Sequence, residues 1–395
     1  MRIFFLSYTP PLPSWGSAMT FYRHFVERPD FETLVATNSD QVHQYTISYR
    51  PLLFQAPAPW RRLTRTRLAP WVYGAEYLHG RHLLPSSVTQ AAEGFRPDAV
   101  FTMAGSWDWT ALAAQQLARR LSVPLVASFN DWFDYGAFLA AEPFRPRVEA
   151  RFRQFYRESD LALCTSDGMK QALGDHPNAH VLYPTGARMA LEEPAPSRGE
   201  HQPFTVFFGG SLGDWYGPMI ESLVTHTRDY GSQQEAIRFR IFGSLQSWSG
   251  EFDAWAIAAN VFGGRLPFDQ LAVEAGRSDL LLLPMGFGAG CAHVERTSFK
   301  TKFLDYLSFR RPILIWAPEY SSAVRVAREY DSAECVTDPA AAACTERISQ
   351  LAANPIRRAQ LIQNARRMYE DRFHPDTIHG GLVEKMRRLC GVPQR

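Results

Sequence analysis

Short apolar runs, each separated from the next by a stretch of helical length and periodicity, recur along most of this 395-residue chain. Runs at residues 3–7, 33–36, 99–103, 124–129, 161–165 and 179–183 are too short for helices and too uniformly apolar for half-exposed strands. They read as strands buried on both faces, the mark of a parallel sheet. Helices are expected over 18–27, 109–121, 147–157 and 167–173. The polar, Pro-rich stretch 191–203 has no periodicity and reads as a linker. Beyond it the alternation restarts, with strands at 205–209, 238–242, 260–262, 280–284 and 313–316. Helices are expected from about residue 218, over 269–275, across Asp305, and as basic amphipathic stretches at 351–372 and 377–389. Two doubly wound α/β domains follow, 1–190 and 204–372, with 373–395 as a terminal helix that packs back on the first. Ligand is expected in a cleft faced by the carboxyl ends of both sets of strands.

The formal net charge of +2 argues against a general nucleic-acid binder. Five cysteines without a C-x-x-C pair fit reduced thiols and neither a zinc site nor a disulfide framework. The first apolar run stops at Pro10 and Pro11, as a strand would. No stretch approaches the roughly 20 apolar residues that span a bilayer. A cytoplasmic protein is expected, with peripheral contact at the inner face of the membrane. Trp15, Trp107, Trp132 and Trp215 fall on expected loops, where they suit a carbohydrate or lipid surface or burial at a domain interface. Residues 50–82 hold six arginines (50, 61, 62, 65, 67 and 81) against one acid, Glu76, interleaved with Trp60, Trp71, Tyr73 and Tyr77. Such a segment fits an anionic interface or a lipid-diphosphate acceptor. It equally fits a solvated helix whose arginines pair with the other domain.

Residues 298–312, SFKTKFLDYLSFRRP, place cations and hydroxyls before a carboxylate on an amphipathic helix, then turn into strand 313–316. Hydroxyls and amides at a helix start can meet phosphates, and Lys300, Thr301 and Lys302 are suited to a diphosphate. Asp305, about one turn further on, can accept from ribose hydroxyls. The segment resembles the donor-binding helix of nucleotide-sugar glycosyltransferases with the GT-B fold, family 4 above all. FRPDAVF at 95–101, SVPLVASFND at 122–131, SDLALCTSD at 159–167 and HVLYPTG at 180–186 resemble family motifs in the same order. So do VFFGGSL at 206–212, VFGGRLPFDQL at 261–271 and SDLLLLP at 278–284.

The resemblance implies two Rossmann-like domains, an N-terminal acceptor side and a C-terminal donor side. It implies a hexosyltransferase acting in glycan, glycolipid or natural-product synthesis, retaining and metal-independent, with the nucleotide sugar as substrate and no cofactor. The acceptor would be a saccharide, a lipid-linked molecule or a small molecule. Two positions depart from the family: Ser211 and Tyr216 stand where an Arg and a Lys usually clamp the diphosphate. Thr297 replaces the first of two acids spaced eight apart, leaving Asp305; the nearest earlier acid is Glu295. Arg296, Lys300 and Lys302 are then the cations left to neutralise the diphosphate. An epimerase or phosphorylase on the same fold, or a degenerate non-catalytic partner protein, are alternative readings.

Other site candidates follow from position. Gly16 and Ser17, after the first strand, can approach a ligand or simply form a βα turn. Gly210 and Ser211 hold the matching place in the second domain. Asn130 and Asp131 end a buried strand; Asp131 can act as a base, orient the donor sugar, or cap a helix. Asp108 is a second candidate base. By the resemblance, Arg265 sits where the family's backbone meets the nucleobase edge, or is a plain surface residue; His293 can touch phosphate or be a solvated loop histidine. Arg61, Arg62, Arg65 and Trp107 are the acceptor-side candidates.

Overall fold

The computed structural model describes residues 1–14, 16–105, 107–134, 138–189, 202–230, 237–244 and 246–392. Trp15 and residues 191–201 of the expected linker lie outside the described residues. Two compact units account for the chain. The first comprises Met1–Thr185, Thr297–Thr301 and Asp376–Arg395; the second comprises Gly186–Arg296 and Lys302–Pro375.

The first unit is built on seven strands: β1 (Arg2–Leu6), β2 (Glu32–Thr37), β3 (Leu52–Leu53), β4 (Ala99–Met103), β5 (Leu125–Phe129), β6 (Leu161–Cys164) and β7 (Ala179–Val181). Their order is β3-β2-β1-β4-β5-β6-β7, and every pairing is parallel. Alternation along β1 sends Phe4 and Leu6 to one face and Ile3 and Phe5 to the other; all four are fully buried. Helices therefore cover both faces of the sheet. On the Ile3 and Phe5 face, Leu382, Val383 and Met386 of the helix Pro375–Leu389 complete the core.

The second unit carries β8 (Phe204–Ser211), β9 (Ile237–Ser244), β10 (Leu280–Pro284), β11 (Ile313–Trp316) and β12 (Glu334–Val336). The order is β12-β11-β10-β8-β9, again all parallel. In both sheets the chain builds outward from the first strand on one side, then returns to add strands on the other. Loops leaving β1 and β4, and those leaving β8 and β10, thus diverge at a switch point, where doubly wound sheets form ligand crevices.

Two expectations are corrected. Residues 260–262 form no strand: only a bridge between Ile241 and Phe262 attaches them to β9. The helix expected over 351–372 is divided into Ala341–Ala353 and Pro355–Met368. Pro355 has no N–H to continue the first helix, and Asn354 accepts from the Arg357 amide at 2.9 Å to cap the second. Among the described residues no helix is long and apolar enough to cross a membrane.

A buried polar chain ties the Pro375–Leu389 helix to the first unit. Thr185 Oγ1 lies 2.8 Å from His24 Nε2, His24 Nδ1 lies 3.0 Å from His379 Nδ1, and His379 Nε2 lies 3.0 Å from Asp30 Oδ2. Both rings are buried. One set of neutral tautomers satisfies every link, with each group donating once toward Asp30. Loss of water holds both imidazoles below their usual pKa of 6.5, and the His379 ring also disfavours a charge on His24. The unfolded chain therefore binds more protons, so this stability is present above pH 6.5 and is lost as pH falls below it. Each imidazole kept neutral costs up to about 1.4 kcal/mol per pH unit below that point. The melting temperature should fall as pH drops from about 7.5 to about 5.5, and His379→Gln should flatten that slope. Equal slopes in parent and variant would show that the pair does not govern acid stability.

Candidate active site

At the switch point of the second unit, β8 ends in Gly209, Gly210 and Ser211. The Gly209 amide donates to the Tyr306 hydroxyl at 3.1 Å, seating the helix Thr301–Ser308 on the end of the strand. Burial pushes the Tyr306 hydroxyl well above its usual pKa, so it stays protonated. One turn earlier on that helix, Lys302 places its ammonium 4.0 Å from the centre of the Phe208 ring. A Cβ on Gly210 would stand 2.0 Å from Lys302 Nζ, and Gly210 has φ +152°. Only glycine lets this cation rest on the strand end. The structure thus brings Gly210 and Lys302 together, two residues 92 positions apart in the chain. Ser211, exposed, follows and accepts from the Gly213 amide at 3.4 Å.

Glu295 joins the two divergent loops of this switch point. It is fully buried, and its Oε1 accepts from the Tyr216 hydroxyl at 3.0 Å and the Gly286 amide at 3.1 Å. Tyr216 lies beyond β8 and Gly286 beyond β10. Sequence reasoning noted Glu295 only as the nearest acid before Asp305 and missed this role. The signal was Tyr216 itself, a hydroxyl donor standing where the family carries a lysine.

Asp305 Oδ1 accepts from the Ala187 amide at 2.9 Å, so the carboxylate also holds backbone within the second unit. Arg296, exposed, lies with its guanidinium carbon 4.9 Å from the Tyr320 ring centre. Arg265 is exposed just past the segment that the Gly263 amide and the Gly264 carbonyl fasten to β9. His293 is also exposed. Lys300 and Thr301 belong to the first unit, whereas Lys302 and Asp305 belong to the second.

In the first unit, Asn130 and Asp131 follow β5. The Asn130 Oδ1 accepts from the Ser128 hydroxyl at 2.7 Å, and Asp131 Oδ1 accepts from the Ser298 hydroxyl at 2.8 Å. The preceding residue, Thr297, accepts through its carbonyl from the Ser166 hydroxyl. Asp131 is therefore positioned by a residue 167 places later, which no local pattern could announce. Gly16 and Ser17 open the helix Gly16–Phe25, with Gly16 exposed and Ser17 half-buried.

Expectations for the loop aromatics need correction. Trp107 and Trp132 are each only 3% exposed and belong to the core under the sheet. Trp107 packs edge-on against Phe152 and Phe155 and donates its indole N–H to the Tyr77 carbonyl at 2.9 Å. It cannot present a face to an acceptor. Arg61, Arg62 and Arg65 are exposed, as are Arg50, Arg67 and Arg81. Among the described residues, no three His, Cys, Asp or Glu side chains gather as a metal-holding group.

Residues 17–185 match the family described as Glycosyltransferase Family 4. The crystal structure of HepE from Anabaena in complex with UDP is similar at a TM-score of 0.64 and 16% identity, covering 98% of this chain and 100% of that one. Sucrose-phosphate synthase from Thermosynechococcus elongatus gives 0.61 and 12%, covering 99% of each chain. A glycosyltransferase from Rickettsia africae gives 0.62 and 10%, covering 98% of each. No curated protein matches the chain in sequence. Residues 17–185 thus match the family 4 model, and with two all-parallel sheets and these structural likenesses the chain has the GT-B fold.

Proposed function

We propose that the chain moves a sugar from a nucleotide-sugar donor to an acceptor hydroxyl, in glycan, glycolipid or natural-product synthesis. The observation that carries this reading is the second-unit switch point, where the Lys302 ammonium rests against Gly210 at the end of β8. Backbone amides and a cation in that place suit the diphosphate of a departing nucleotide. HepE, solved with UDP and with UDP-glucose, lends support from the same fold. The anomeric carbon–oxygen bond to the diphosphate breaks, a bond to the acceptor oxygen forms, and the acceptor proton leaves. Retention and independence from metal are part of the proposal and rest on the likeness to family 4. Calorimetry with UDP-glucose, and release of UDP from it, test the reading. No binding of any nucleotide sugar would overturn it.

Lys302→Ala should reduce turnover by about tenfold to a hundredfold while leaving the melting temperature nearly unchanged, because its charge acts mainly as the diphosphate departs. Full turnover in this variant and in Lys300→Ala and Arg296→Ala would remove these cations from the chemistry. Asp305→Asn should weaken donor binding by about 1–3 kcal/mol. It should also lower stability by about 1 kcal/mol, because the bond from the Ala187 amide loses its charge assistance. Unaltered donor affinity would move the ribose away from Asp305.

The acceptor, in this proposal, is membrane-borne or carries a lipid diphosphate. Exposed Arg61, Arg62, Arg65 and Arg67 alternate with Leu63, Leu68 and Trp71, which are 40%, 57% and 55% exposed. Apolar side chains among arginines suit an anionic bilayer surface. Replacing the four arginines with Gln should abolish binding to phosphatidylglycerol vesicles. Raised salt should do the same to the parent, since such attraction is screened beyond about 8–10 Å. Binding that survives both would leave the cluster as a solvated surface.

A further inference from the structure

The single acid of the basic 50–82 segment does not belong to its exposed face. Glu76 lies on the helix Ala69–His79 and is only 6% exposed, the one buried charge among those arginines. Two close approaches press this helix against the loop that leaves β4. The Trp107 indole donates to the Tyr77 carbonyl at 2.9 Å, and a Cβ on Gly80 would stand 2.4 Å from Trp109 Cβ, so only glycine allows the contact. Between Trp107 and Trp109 lies Asp108, half-buried, whose Oδ1 accepts from the Thr110 amide at 2.8 Å and caps the helix Trp109–Leu121. The Thr110 hydroxyl in turn accepts from the Tyr8 amide at 3.1 Å, bringing in the loop that leaves β1. Glu76, Asp108 and Tyr8 thus gather at the switch point of the first sheet.

We propose that Glu76 and Asp108 form a subsite for the acceptor sugar, with the Glu76 carboxylate accepting a hydrogen bond from an acceptor hydroxyl. This rests on the transferase reading. Among the described residues the Glu76 carboxyl has neither a hydrogen bond nor an ion pair. A carboxylate largely withdrawn from water with no protein donor is costly, and its remaining opening to solvent is where a ligand can supply one. Burial, and after it the charge of Asp108, raises the Glu76 pKa to about 7. Burial also raises Asp108. The neighbouring titratable groups are Tyr73 and Tyr77 on the same helix and Tyr8 on the β1 loop, with Asp40 acting on Tyr8. All three tyrosines are neutral near pH 7. A polyhydroxylated ligand brings the donor that the Glu76 carboxyl lacks.

The site should respond to pH in a stated direction. Ionised Glu76 accepts the hydroxyl more strongly than the protonated acid does, so affinity should fall as pH drops through about 7. Bound sugar should draw the Glu76 pKa downward, because its hydroxyl stabilises the charged form. The probes are the methyl α-glycosides of glucose, galactose and mannose, followed by saturation-transfer NMR on the whole chain from about pH 8 to about pH 6. At least one should bind, weakening as pH falls, and Glu76→Gln should lose about tenfold in affinity together with the pH dependence. Carboxyl-carbon NMR of the parent supplies a check that does not depend on the variant folding. A Glu76 titration that ignores the bound glycoside, or no binding by any of the three, would overturn the subsite. UDP-glucose affinity, measured alongside, reports separately on the transferase reading.

Discussion

In each sheet the first strand to be made ends up inside, with parallel neighbours on both sides. β1 stands between β2 and β4, and β8 between β9 and β10. A parallel neighbour on either side requires a crossover each way, and right-handed crossovers place the two sets of helices on opposite faces. Consecutive loops must then part at the carboxyl ends of β1 and β4, and of β8 and β10. Gly16 and Asp108 in the first unit, and Gly210 and Glu295 in the second, lie at or near these partings. Chemistry is confined to those edges by topology before any side chain is chosen.

Within that frame the second unit manages charge in an unusual way. A buried glutamate fastens the β8 loop to the β10 loop through a phenol and an amide, both neutral donors. The cation beside Gly210 comes instead from the helix Thr301–Ser308, whose Tyr306 hydroxyl receives the preceding amide. Positive charge therefore reaches the strand end from a regular element and not from the loop that follows the strand. A side chain carried by a packed helix loses less freedom when it meets a ligand than one carried by a loop.

Buried strands were legible because their apolar runs are short, uniform and flanked by helical spacing. β1, β4, β5, β10 and β11 fall where the runs do. β3 and β12 were not foreseen, being two and three residues long at the sheet edges. Residues 260–262 look like a strand, yet their backbone makes only a bridge to β9. The helix break at Pro355 was written in the Asn354-Pro355 pair and overlooked in favour of the longer apolar period. Site residues were legible in proportion to how local their partners are. Lys302 and Asp305 share a helix whose pattern announces them. The tie from Ser298 to Asp131, the bond from Tyr216 to Glu295 and the facing of Glu76 and Asp108 join distant stretches, which one-dimensional periodicity cannot encode. Trp107 and Trp132 misled for a related reason: an aromatic on a loop says nothing about whether the loop is roofed by a helix.

The last long helix lies against β1, filling the Ile3 and Phe5 face with Leu382, Val383 and Met386. This has a consequence for how the chain is made. On the ribosome, residues 1–185 emerge first but lack part of their own core until residues beyond 375 follow. The whole of the second unit is synthesised in between, so it can close before the first does. The nascent first unit must wait with that sheet face only partly covered, by Phe21, Phe25 and Phe31, a period in which chaperone capture and misassembly compete with completion.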